Sequence, residues 1–306
     1  MLEIEWEHVA GPFNRLTEGP VWDGQQLLFT HIPASRIMAY DPTTSECTIY
    51  REDTNHTNGL AHDADGNLYG CCSGGRSIVR FEQDGTTTTI VDSLDGQKLN
   101  TPNDLSIDRM GRIWFSNPWN AGNIDPSEKQ VMADKDILRA ERQADGNWTC
   151  TRMTFDTTGT NGLLISPDQR NLYMIQSDNE PGGIRELRSY PIHEDGSLGH
   201  YIVLHQFGQD HRGPQRGIDG MCLDSEGNIV GTAGNWLSGP GPMIYVWTPK
   251  GRILETYPMP VGVDGPTNCA FGDDDQRTLY VTTGQGHFIR TRDTGRQGWI
   301  MWPPVR

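Results

Sequence analysis

One phrase recurs six times along this 306-residue chain: a residue with a side-chain oxygen, a small residue, an apolar segment, an Asp-Gly or Asp-x-x-Gly turn, and a second apolar strand. Its copies start at Thr17, Thr57, Pro102, Thr160, Ile218 and Thr267, as in Thr57-Asn-Gly-Leu-Ala-His-Asp-Ala-Asp-Gly followed by Leu68-Tyr. The oxygen-bearing residue falls at positions 18, 58, 103, 161, 219 and 268, in steps of 40, 45, 58, 58 and 49. A period near 50 is that of a propeller blade. Each phrase predicts the two inner strands of a blade, and the residues between phrases suffice for the outer two. The expected fold is therefore all-β, a six-bladed β-propeller with four-stranded antiparallel blades, formed as a single domain by residues 1–306. The 36 glycines and 19 prolines suit such a turn-rich chain. A β-sandwich shares the short strands and turns but does not account for six phrases in one register. Trp22-Asp23 lies at a turn and is no WD40 signature. The two longest steps predict insertions near residues 119–134 and 179–188, overhanging one face. Residues 4–9 and 299–302 are both candidates for the strand that closes the circle.

A formal charge of −15 opposes phosphate backbones and anionic membranes and draws in cations. A nucleic-acid or membrane partner is thus not expected. The acidic start lacks the basic and apolar run of an export signal, and no segment has the apolar length of a spanning helix. Six cysteines without Cys-x-x-Cys spacing exclude zinc ribbons and dense disulfide frameworks. Free thiols and a cytoplasmic location are the expectation.

In a propeller, the leading residues of the inner strands converge on the axis at one mouth. Here they are Glu18, Asn58, Asn103, Asn161, Asp219 and Asn268. Two converging carboxylates repel, so with four amides beside them such a ring either raises a pKa or takes up a hard divalent cation. With no His or Cys among them, calcium, magnesium or manganese is favoured over structural zinc. The competing reading is that Asn-Gly and Asp-Gly simply form turns. Nucleophile-elbow, zincin and P-loop motifs are absent.

These residues carry a resemblance to the gluconolactonase, regucalcin and luciferin-regenerating enzyme family of six-bladed propellers. It rests on Glu18-Gly-Pro-Val-Trp, Asn58-Gly-Leu, Asn100-Thr-Pro-Asn-Asp-Leu with Gly111-Arg-Ile-Trp-Phe-Ser, Asn161-Gly-Leu, Asp219-Gly-Met and Pro266-Thr-Asn-Cys-Ala-Phe-Gly. The resemblance spans about Leu16 to Tyr280 and is closest to the bacterial gluconolactonase branch.

It implies one divalent cation held by Glu18, Asn161 and Asp219. Asn103 is implied at the substrate or the metal-bound water, and so stands among both the metal and the substrate candidates, with Asn58 beside it on the substrate side. Calcium is the first expectation, with magnesium, manganese, zinc or iron(II) as alternatives. The implied reaction is hydrolysis of a sugar lactone or related small cyclic ester, with a small molecule as the partner. Asp219 is the first choice of base, and Asp104 either takes that role or points into its blade and holds strands together. The chain departs from the family at His31 and Asn117, where bacterial members carry Asp, and at Thr101, where a regucalcin-type substrate contact is Arg. Those three either reshape substrate fit or serve the wall. Rival readings are an organophosphate hydrolase, a non-hydrolytic enzyme acting on a related carbonyl compound, and a non-catalytic calcium-binding propeller.

Overall fold

The inner strand pairs turn on aspartates. In a computed structural model that describes residues 4–178, 180 and 182–302, Asp63, Asp108 and Asp224 each accept, through Oδ1, the backbone N–H four residues on, at 2.9, 3.0 and 2.8 Å. Gly66, Gly111 and Gly227 supply φ of +84°, +77° and +79° at the same point of each turn, a conformation that costs a glycine little. A side-chain acceptor plus a left-handed glycine is what the repeated Asp-x-x-Gly encodes.

These hairpins grow outward into six sheets. Blade 1 runs from the inside out as Thr17–Trp22, Leu27–His31, Arg36–Asp41 and Glu46–Arg51, and blade 2 as Thr57–His62, Leu68–Cys72, Ser77–Phe81 and Thr87–Val91. Blades 3, 4 and 5 begin with the inner strands Leu105–Ile107, Thr160–Ile165 and Ile218–Asp224. Blade 6 has Pro266–Gly272 inside, then Thr278–Thr283 and Phe288–Thr291, and its outermost strand is Glu7–Ala10 from the start of the chain. The chain is a six-bladed β-propeller with four-stranded antiparallel blades, as the period predicts. Every neighbouring pair of blades seals an apolar cluster between them, and Trp114 and Trp247 are fully buried in two of these.

Two expectations about the ends and insertions are corrected. The N-terminal candidate closes blade 6, whereas Gly298–Trp299 adds a short fifth strand to the inner edge of blade 5, antiparallel to its inner strand with Leu223 opposite Trp299. The segment 119–134 is a loop, tied down by buried Arg76, which donates to Glu128 at 2.6 Å and lies over the Trp119 ring. The second insertion is shorter than expected, since Arg185–Pro191 is a regular strand of blade 4. The extra length of that step lies instead in a small hairpin, Gln209–Asp210 with Gly213–Pro214. Among the described residues no helix is long and apolar enough to cross a membrane.

Candidate active site

Five of the six inner strands carry one extra residue beside the ring position. Where the outer partner advances two residues, the inner strand advances three: Glu18 to Val21, Thr57 to Leu60, Thr160 to Leu163, Ile218 to Met221 and Pro266 to Cys269. A bulge re-aims the side chain next to it. The small residue that follows is needed for a reason beyond turn formation. A Cβ on Gly19 would strike the Asn58 carbonyl, one on Gly59 the Asp104 carboxylate, one on Gly162 the Asp219 carbonyl, and one on Gly220 the Asn268 amide. Each glycine makes room for the ring region of another blade, so the competing turn reading of Asn-Gly does not account for the pattern.

The ring gathers three carboxylates and one guanidinium. Buried Glu18 accepts from Gly19 N at 2.7 Å and from Asn268 Nδ2 at 3.0 Å, and has no cationic partner among the described residues. Asn268 Nδ2 also lies 3.4 Å from Asp104 Oδ2. Asp219 accepts from Asn161 Nδ2 at 2.6 Å through Oδ1 and from Arg216 through Oδ2. Arg216 further donates to the Pro266 carbonyl at 2.9 Å. Burial, then the nearby Asp219 and Asp104 charges, push the Glu18 carboxyl well above its usual range. Burial pushes Asp104 up to about 7, and it also raises Asp219 against the opposing pull of Arg216 and Asn161. The Asp219 side chain is 17% exposed. Asn58 and Asn103 have no side-chain hydrogen bond among the described residues, so their amides are unspent at the mouth.

The remaining candidates make contacts with their own neighbourhoods. His31 Nε2 donates to the Asn14 carbonyl at 3.1 Å and its ring packs on Phe13. Thr101 donates its hydroxyl to the Pro118 carbonyl and accepts from Asn120 N, anchoring the 119–134 loop. Asn117 is fully buried, with its amide on Met132 Sδ at 3.5 Å. Sequence reasoning did not single out Arg216, and placed Asn268 in the ring without giving it an individual role. A basic residue three positions before a candidate ligand, in Arg216-Gly-Ile-Asp, was the available signal for the first.

Among the described residues, no three His, Cys, Asp or Glu side chains close into a compact metal cluster. The donor chemistry nonetheless fits a hard cation. All ring donors are oxygens or amides whose half-turn exchanges Nδ2 for Oδ1, and one guanidinium leaves three carboxylates short of positive charge.

Below the ring the channel narrows to a cavity of about 150 Å³, bounded on one side by Asp104 and Asn268, walled by apolar residues such as Leu105, Met221 and Phe271, and floored by residues 299–302. Trp302 packs against His62 with ring centroids 4.7 Å apart.

Residues 16–285 match the SMP-30/Gluconolactonase/LRE-like region. The gluconolactonase of Zymomonas mobilis is 27% identical over 91% of this chain and 79% of its own. Among solved structures, the gluconolactonase of Xanthomonas campestris superposes with a TM-score of 0.77 at 27% identity, covering 94% of this chain and 89% of that one. The calcium-binding protein regucalcin of Agrobacterium tumefaciens shares the fold, with a TM-score of 0.74 at 18% identity over 99% and 98% of the two chains.

Proposed function

This chain belongs to the SMP-30/gluconolactonase/LRE-like family, and on that premise we propose that it hydrolyses a sugar lactone or a related small cyclic ester with the help of one divalent cation. The observation that carries the reading is the ring itself, where among the described residues Glu18, Asp104 and Asp219 share one mouth with a single paired guanidinium, Arg216. Glu18, Asn103, Asn161 and Asp219 are the residues that would hold the cation, with calcium first among the candidates. When bound, such a cation polarises an ester carbonyl and acidifies water.

The protein's own groups supply the rest. The unspent amides of Asn58 and Asn103 are available to orient substrate hydroxyls. Asp219 has both oxygens engaged, one by Asn161 and one by Arg216, which suits a ligand better than a base. Asp104 Oδ1 accepts from its neighbour Leu105 N at 2.9 Å, while among the described residues Oδ2 has only the 3.4 Å contact with Asn268. We therefore assign the proton-accepting role first to Asp104. It takes a proton from the attacking water as the hydroxyl adds to the carbonyl carbon, and returns it to the ring oxygen as the ester C–O bond breaks. The product is an open-chain hydroxy acid.

The deciding experiment is proton release from a panel of aldonolactones by chelated protein, with calcium, magnesium, manganese, zinc or iron(II) added back one at a time. Restored turnover of one lactone by one cation is the expected result. A folded, cation-loaded protein that opens none of the panel overturns the proposal.

A further inference from the structure

Two thiols meet on the channel wall just below the ring. Cys222 on the inner strand of blade 5 and Cys269 on the inner strand of blade 6 place their sulfurs 3.6 Å apart, and both line the cavity that the 299–302 segment floors. Cys222 lies three residues past Asp219, and Cys269 directly follows Asn268, at the position that glycine takes in blades 1, 2, 4 and 5. The other four cysteines are distributed differently. Cys71 and Cys72 are adjacent in one strand, where side chains point to opposite faces, and Cys47 and Cys150 lie on the outermost strands of blades 1 and 3.

We infer that Cys222 and Cys269 form an oxidisable dithiol, closing under a peroxide to a disulfide that fastens blade 5 to blade 6 directly beneath the ring. The two residues have unequal access. Cys269 is 2% exposed, whereas Cys222 is only partly buried and is the one open to a small oxidant in the cavity. Cys222 sulfur attacks one peroxide oxygen, the O–O bond breaks, and the thiol proton leaves with the other oxygen as water, giving a sulfenic acid. Cys269 sulfur then displaces the sulfenic oxygen, its proton going with that oxygen as a second water, and the S–S bond forms. Two thiols lose two electrons and hydrogen peroxide gains them.

Burial and the neighbouring Cys269 push the Cys222 thiol well up, so little thiolate is present and closure is slow. Its consequence is mechanical. The strands it would join carry Asp219 and Asn268, each hydrogen-bonded within the ring, and closing a loop between residues 222 and 269 restricts the unfolded chain.

The test treats the folded full-length protein with hydrogen peroxide, removes the peroxide, blocks remaining thiols with N-ethylmaleimide in denaturant, and maps peptides by mass. The expected result is loss of two hydrogens, two fewer blocked thiols, one cross-linked peptide containing Cys222 and Cys269, a raised Tm, and reversal of all four by dithiothreitol. Cys222→Ser and Cys269→Ser each remove the cross-link, while the wild-type map stands without them if either fails to fold. Six thiols that all stay blockable, a disulfide between other cysteines, or sulfinic acid accumulating on Cys222 with Cys269 still free would each overturn the inference.

Discussion

The same six inner strands end in two opposite ways. At the ring mouth they present carboxylates and amides, with Glu18 buried beside two other acids; at the other mouth they meet the apolar plug of residues 299–302, with Trp302 against His62. The contrast shows how a repeat divides labour along its length. The bulge and the small residue concentrate unfavourable charge at one end, where a cation or substrate can relieve it, while the other end is lined by apolar side chains. The two mouths should therefore respond differently to substitution, the ring through activity and the plug through stability.

The sharpest break in that comparison is at the ring charge. Glu18→Gln and Asp219→Asn should each lower lactone kcat/KM by roughly 100- to 10,000-fold. Glu18→Gln should also raise Tm in chelated protein, because a repelling buried charge is gone. Full activity in either variant, measured with cation added back, would remove the ring from the chemistry. A steric break comes next. Gly220→Ala forces the Asn268 amide aside and should cost about 100-fold in kcat/KM without a matching loss of stability. At the plug, Trp302→Ala should lower unfolding free energy by about 3 kcal/mol with turnover retained, read by denaturant titration alongside the lactone assay.

A pH profile sharpens the same contrast. Burial pushes His62 down from 6.5 to about 4. The unfolded chain thus takes up the proton first on acidification, so the stability His62 contributes is intact above about pH 6.5, is lost as pH falls from 6.5 through 4 and levels off below, an effect of about 3 kcal/mol. Trp302→Ala, which uncovers His62, should flatten that slope in stability measured from pH 7 to pH 4. The smallest effect belongs to the wall: Thr101→Val removes one loop anchor and should cost about 1 kcal/mol, with kcat nearly unchanged.

The ring was readable from sequence because its signal repeats. Glu18, Asn58, Asn103, Asn161, Asp219 and Asn268 occupy one register in six phrases, and a single misread phrase would still leave five. What does not repeat was not readable. Arg216 is one residue in one blade, and its reach to Asp219 depends on a side-chain path that no period encodes. Asp104 was open between base and strand support, and only the contact with Asn268, 164 positions away, turns it toward the ring. The two ends of the chain had similar short strand patterns, so periodicity identified both as strands and neither by partner; Glu7–Ala10 found a blade edge while Gly298–Trp299 found an inner strand. His31 and Asn117 stood out as departures from family acids, yet each is occupied by a local contact, with Asn14 and Met132 respectively.

Glu18 and Asn268 touch across 250 positions, and Glu7 pairs with Arg290 across 283. Such contacts set a timetable. During synthesis the first blade waits for the last, for roughly 10–60 s at ordinary elongation rates, with its ring acid lacking the amide that will receive it. High contact order makes this closure a late event in folding. The ring thus doubles as a completeness check, since a chain that stops after five blades has most of the strands and none of the finished mouth.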